Sequence, residues 1–370
     1  MSGVLTGFTV GITADRRWDE QATLFERRGA RVLHGPAIRT LPMASDASLR
    51  AATDAVIARR PAALVANTGL GIRSWFSAAE TWGVGEQLHA AMSTTRIYAR
   101  GPKASGAVHS AGLEVTSKAP SERLSEAVDL LLADLKPHDV VAIQVDGSGD
   151  SPELARLRAA CADVIAVPVY EWTLPEDVRP TVRLAEAIVA GRVHAVTFTA
   201  GPAIRNWLSI LREHDLLDSV LAALNGGEVV VGCVGPVCAE VARAEGINQP
   251  DMVVPPQFRL GPLVRAVAAR LSEQATRLDI GGARLEIAGA RLTIDDNTQI
   301  LSFIEARLLA TLAARPSIVI SKQDLAAAVW RDPDLDPHTV EMAVTRLRRR
   351  LGRLGPSLTA VPRRGYALRP

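Results

Sequence analysis

Cysteine is scarce in this chain of 370 residues: Cys161, Cys233 and Cys238 are the three, with no CxxC spacing among them. That excludes a disulfide scaffold, a thioredoxin-type redox motif and a cysteine-built zinc site. Seven scattered histidines give no metal-ligand spacing, so no metal is expected. No apolar run approaches the roughly 18 residues that suggest a membrane span, and the N-terminus enters a strand-like "FTVGIT" without a signal-peptide layout. Low-complexity sequence is almost missing as well. The expectation is a reduced, cytoplasmic, globular protein without a membrane partner. Its 48% hydrophobic content can bury a large core in two or three domains.

Net charge is only +2, but it is unevenly spread: residues 338–370 hold eight arginines against one acid, Glu341, a local +7. The centre of this run is "TRLRRRLG", 345–352. Asp336 as an N-cap carboxylate, Pro337 in the first turn and Gly352 past the last apolar residue predict a helix over 337–351. On a wheel of about 100° per residue, Val340, Ala343, Val344, Leu347 and Leu351 share one side. His338, Met342, Thr345, Arg346 and Arg349 share the other, with Arg348 and Arg350 flanking it. A charge run alone reads as a solvated basic face. The neighbours argue for more. Upstream, an apolar helical stripe through Ile304, Leu308, Leu309 and Leu312 is followed by a Pro316 break, a short β-branched run and a second helix opened by Ser321. Downstream, "SLTAVPRRGYALRP" predicts two short strands around Arg363, Arg364 and Gly365, the glycine suiting a turn with positive φ.

Helix, short strand, helix, basic helix and an arginine-tipped hairpin make a winged helix-turn-helix. The residues resemble the C-terminal DNA-binding domain of OmpR-type response regulators over about 90 residues: Glu305 opening the first helix, "IVIS" at 318–321, "LAAAVW" at 325–330, Thr339-Val340, "RLRRRL" at 346–351 and Gly365-Tyr366. The resemblance implies double-stranded DNA as a partner and leaves homodimer formation on DNA open. The DNA-binding candidates are His338, Thr339, Met342, Thr345, Arg346, Arg348, Arg349, Arg350, Arg363 and Arg364. Arginines at the front of the outer face would reach guanine edges; those further along and on the wing would neutralise phosphates.

The first 270 residues contain a repeat. "AALVANTGLGIRSWFSAAETWG" from Ala62 and "HAVTFTAGPAIRNWLSILREHD" from His194 are each a buried strand, a Thr-small-Gly turn and a helix carrying Ile-Arg-x-Trp. "YARGPKASGAVHSAGLEV" and "GCVGPVCAEVARAEGINQ" then repeat strand, Gly-Pro and helix, with equal spacing from Gly101 to Gly112 and from Gly235 to Gly246. Alternating strands and helices predict an α/β fold of two lobes with parallel sheets. Ligands of such lobes bind at the carboxyl ends of strands, where unpaired amides at helix starts favour anions. A tight turn explains any one such glycine; four turns in matching positions favour a shared inter-lobe cleft.

The repeat resembles uroporphyrinogen-III synthase over roughly residues 5–270, through "VGITADRR" with Thr13, the Phe-Thr-small turn at 198–200, the Gly-Pro helix starts and "VPVYEW" at 167–172. The resemblance implies a chain that crosses twice between lobes, giving a first lobe of 1–37 and 172–270 and a second lobe of 38–171; Gly281 and Gly282 with the short alternating segments "ARLEIAG" and "ARLTIDD" read separately as a linker at 271–282 leading into the small sheet of a winged helix at 283–370. The resemblance also implies closure of linear hydroxymethylbilane, an octacarboxylate, to uroporphyrinogen III without a cofactor, the substrate being held by backbone amides and hydroxyls. The cleft residues are then Thr13, Thr68, Gly69, Gly101, Thr199, Ala200, Gly201 and Gly235, with Tyr170 the candidate catalytic group or, equally, an aromatic packing on Trp172. The chain departs from the synthase pattern at Asn67-Thr68-Gly69, where the family carries Phe-Thr-Ser, and at "QVDGSGD", whose Asp146 and Asp150 would repel an octacarboxylate. The preferred reading is a transcription regulator whose synthase-like part senses a small anionic or tetrapyrrole-related ligand. The alternative is a working synthase with a DNA-binding tail. A phospho-acceptor receiver is disfavoured: Asp15 stands without an acidic cluster, and Pro102-Lys103 reverses the receiver's order.

Overall fold

The computed structural model describes residues 3–42, 47–136, 138–145, 151–161 and 163–369. The chain divides into two compact units, Met1–Ile38 with Leu174–Pro370, and Arg39–Thr173. It is an α/β architecture with parallel sheets and a winged helix at the C-terminal end.

In the first unit a parallel sheet runs in the order Val230–Cys233, Ala195–Phe198, Thr9–Ile12, Arg31–His34. In the second, the order is Ser117–Lys118, Arg96–Ala99, Ala63–Ala66, Val140–Val145, Asp163–Pro168, again parallel. The strands "AVTF", "VVGC" and "ALVA" are buried at every position, as strands covered on both faces must be, and so lack polar alternation. The two crossing segments, Arg39–Pro42 and Tyr170–Thr173, pair antiparallel with each other.

The repeat is structural. Each unit carries a strand, a helix of 13 residues (Gly69–Thr81, Gly201–Glu213), a further helix, a strand and a helix of 9 residues (Pro102–Ser110, Pro236–Ala244). The matching tryptophans, Trp75 and Trp207, are both fully buried.

The C-terminal part begins with an antiparallel meander, Thr276–Ile280, Ala283–Ala288, Arg291–Ile294 and Asn297–Ile300. Helices Phe303–Ala313, Lys322–Trp330 and Pro337–Leu351 follow, then the hairpin Leu358–Val361 and Gly365–Leu368. Leu308, Leu312, Leu325, Val344 and Leu347 belong to one buried core here. Two expectations are corrected. The linker at 271–282 is absent: the helix Leu260–Glu273 runs to within two residues of the first strand. Gly281 and Gly282, with φ of 54° and 74°, form the two-residue turn of a hairpin in which Ile280 pairs with Ala283. The strand expected at 318–321 shrinks to one bridge, Ile320 to Tyr366.

This C-terminal part is joined to the lobe of its own unit by more than the chain. Ala290 N–H donates to Gly7 O at 2.8 Å, Ala288 lies in the same buried cluster as Leu5 and Phe8, and Arg331 pairs with Glu228. No helix among the described residues is long and apolar enough to cross a membrane.

Candidate functional site

The basic helix starts and stops where its caps require. Asp336 accepts a hydrogen bond from His338 N–H at 2.9 Å, Pro337 occupies the first turn, and the helix ends at Leu351. Val340, Ala343, Val344, Leu347 and Leu351 are buried, whereas His338, Met342, Thr345, Arg346 and Arg349 are exposed and Thr339 is half-buried. Lys322, on the preceding helix, bonds the Glu341 carboxylate, and this, followed by a contact from His338, holds that carboxyl below its ordinary range. The one acid of the basic stretch is thereby neutralised while it ties two helices together.

The arginines divide into two groups. Arg348 Nε donates to Leu358 O at 2.8 Å and its guanidinium lies 5.9 Å from the Tyr366 ring centre, bracing the hairpin. Arg350 sits 3.8 Å from the Glu305 carboxylate, and Arg353 pairs with Asp295. Arg346 and Arg349 on the helix, with Arg363 and Arg364 at the hairpin tip, are exposed and have no ion-pair partner among the described residues. The tip holds its shape because Gly365, with φ of 132°, lies where a side chain would collide with Ile320 O.

In the first unit, three turns follow three neighbouring strands. Thr13 closes Thr9–Ile12, but its hydroxyl is fully buried and donates to Thr197 O at 2.9 Å. Thr199 and Ala200 precede the helix at Gly201, whose start has no side-chain cap, and Gly235 precedes the uncapped helix at Pro236. First-turn amides there are left to an outside acceptor. Gly235 is buried against Phe258.

In the second unit, Thr68 caps its own helix, accepting from Gly71 N–H at 3.0 Å. Gly69 is packed against Lys103 O, leaving no space for a side chain, and Gly101 opens the next helix without a cap. Arg100 is not among the residues that the sequence singles out, yet its Nη1 donates to Asn67 Oδ1 at 3.1 Å and its Nε to Glu122 O at 2.9 Å. Its place just before the Gly-Pro helix start is the signal that points to it. Tyr170 is 4% exposed and its ring centre is 5.4 Å from that of Trp172. Asp146 and Asp150 lie outside the described residues.

Comparison with known proteins adds to this geometry. Residues 19–265 match the family model of uroporphyrinogen-III synthase HemD. The chain belongs to the uroporphyrinogen-III synthase family. Residues 297–368 match the family described as transcriptional regulatory protein, C terminal, so a synthase-family part is fused to an OmpR-type DNA-binding winged helix. A mutant uroporphyrinogen III synthase from the extremely thermophilic bacterium Thermus thermophilus is 25% identical, with a TM-score of 0.59, covering 72% of this chain and 100% of that one. The uncharacterized protein YjjA of Bacillus subtilis strain 168 is 24% identical over 277 residues, 73% of this chain and 98% of its own. The DNA-binding domain of CpxR from E. coli is 27% identical over 25% of this chain and 94% of its own, with a TM-score of 0.23. Within the synthase-family part, the turns at 199–201 and 235–236 each stand at the carboxyl end of a strand.

Proposed function

We propose that the protein is a transcription regulator that reads double-stranded DNA through its winged helix and takes up a small anionic or tetrapyrrole-related ligand in its synthase-family part. The observation that carries the DNA half is the group of Arg346, Arg349, Arg363 and Arg364, exposed at the basic helix and the hairpin tip without ion-pair partners among the described residues. Arg346, the first arginine along the exposed face of the helix, is assigned to base edges; Arg363 and Arg364 to phosphates. Arg348 and Arg350 act from behind, by holding the hairpin and the first helix of the domain.

The ligand half rests on the family and on the uncapped helix starts after Ala200 and Gly235. A ligand can bias DNA binding only through its differential affinity for two states of the protein. Replacing Thr199 with Glu should abolish ligand-dependent changes in DNA affinity and leave the DNA affinity of the ligand-free protein intact. The competing reading, an active synthase with a DNA-binding tail, is favoured by the family match and opposed by the carboxylates of "QVDGSGD". One assay decides between them: hydroxymethylbilane is supplied and the type III and type I isomers are counted. Turnover to type III well above spontaneous closure to type I would replace the sensor by the enzyme.

A further inference from the structure

The lobe sheet of the first unit has a second edge. At the amino ends of its strands, away from Thr13, Ala200 and Gly235, a cavity of about 1080 Å³ lies against the winged helix. That is at the upper end of the size of clefts that hold small organic ligands. On the lobe side its lining includes Arg31, Arg192 and His194; on the winged-helix side, Arg307 and Arg331.

Four arginines thus meet one carboxylate, Glu228, and that carboxylate is already bonded to Arg331. Arg307 is partly buried, and Nη1 donates to a main-chain carbonyl, Ala190 O, at 3.3 Å. Among the described residues it makes no direct ion pair, and the one carboxylate near it, Glu228, is bonded to Arg331. Burial, and then the charge of Arg331, push its pKa down against the weaker opposing pull of Glu228. Close packing holds it there: Gly191, with φ of 75°, leaves the space that the guanidinium fills. The lining also supplies apolar surface, with Phe8, Ile300, Phe303 and Ala310, beside polar groups such as Thr276, Ser302 and Thr311. The Phe303 ring centre is 6.0 Å from the Arg307 guanidinium.

Excess positive charge beside rings and aliphatic groups selects a particular chemistry. We infer that this junction cavity is a ligand site distinct from the carboxyl-edge turns, and that it takes an amphipathic organic anion, a flat apolar body bearing a carboxylate or sulfonate. The anionic group meets Arg307 from the winged-helix side and Arg31 or Arg192 from the lobe, so the ligand touches both parts of the unit at once.

The test is a fluorescence titration of the full-length protein with 1-anilinonaphthalene-8-sulfonate, a probe of that chemistry. A saturable component that answers to changes at the junction is expected, separable from any binding at the carboxyl-edge turns. Arg307→Met, which keeps an apolar stem beside Gly191, should weaken binding about tenfold, the loss of one charge-assisted hydrogen bond. Ala310→Trp, which fills the cavity, should remove it, and Arg31→Met at the exposed rim should weaken it without disturbing the packed seam. Thr199→Trp, at the opposite edge, should leave it unchanged. Thermal melts report that each variant is folded. Unsaturable binding, affinity indifferent to the Arg307, Arg31 and Ala310 changes, or loss on Thr199→Trp would overturn the proposal.

Discussion

Arg346 and Arg348 are two positions apart in one helix and meet different surroundings, because a helix turns them about 200° apart. Arg346 is exposed without an ion-pair partner among the described residues; Arg348 holds Leu358 O and the Tyr366 ring. Arg346→Ala should therefore relax base preference and cost about 1 to 3 kcal/mol on the best site, with the melting temperature unchanged. Arg348→Ala should lower stability by about 1 to 2 kcal/mol through the hairpin and weaken all duplexes together. Filter binding on matched and mismatched duplexes, alongside urea melts, separates the two; equal loss of specific and non-specific binding in both variants would contradict the assignment. His194 makes a second case. Its Nδ1 accepts Thr9 N–H at 3.0 Å, and burial pushes its pKa down to about 4. The folded pKa is depressed, so below the ordinary value near 6.5 the unfolded chain binds a proton that the folded chain refuses. Stability contributed by the neutral ring is complete above that value and is lost as pH falls toward 4, by at most about 1.4 kcal/mol per pH unit. In His194→Asn, whose side-chain oxygen can still accept from Thr9, urea midpoints measured from pH 7 to pH 4 should fall less steeply than in the wild type. Nothing in the sequence near His194 announces this, since Thr9 is 185 positions away.

At the scale of elements, what was legible is what is fixed locally. The helix over 337–351 is set by Asp336, Pro337 and Gly352, and the helix at 303 by a capping box in which Ser302 accepts from Glu305 N–H and Glu305 answers on Ser302 N–H. The duplicated strands and helices were legible from self-similarity. Two elements were not. Gly281-Gly282 reads as a linker because its role as a hairpin turn depends on two strands pairing across it, and the single bridge of the 318–321 segment, Ile320 to Tyr366, is a long-range pairing that local pattern does not specify. The candidate turns were visible as Gly-Pro and Thr-Gly, but not that the Thr13 and Thr68 hydroxyls are committed to Thr197 O and Gly71 N–H. The repeat also hides a difference. Trp75 Nε1 donates to Thr53 Oγ1 at 2.9 Å, whereas the equally buried Trp207 Nε1 has no partner among the described residues. Both Trp→Phe changes leave a cavity, but only Trp75→Phe also removes a hydrogen bond. It should cost about 1 kcal/mol more than Trp207→Phe in urea unfolding; equal costs would show that the two indoles are paired alike.

For the whole molecule, charge placement determines how DNA is met. A net +7 in residues 338–370 within a total of +2 leaves −5 for residues 1–337, so the rest of the chain repels the duplex that the C-terminal stretch attracts. Binding by the full-length protein should accordingly be steep in salt, with each phosphate neutralised adding about 0.9 to the slope of log K against log salt. Arg363 and Arg364 are exposed at the hairpin tip, and Glu341, the one acid in the stretch, is occupied by Lys322, so few internal ion pairs have to break when DNA arrives. Removing Arg364 as Ala should shallow the slope by about 1 on every duplex, specific or not, and leave the ranking of sequences unchanged. Raising salt would then erase most of the difference between wild type and variant, because the contact removed is one that salt already competes with. A slope that stays the same in Arg364→Ala, or a changed ranking of sequences, would place the hairpin tip away from the phosphates and assign the affinity to the helix alone.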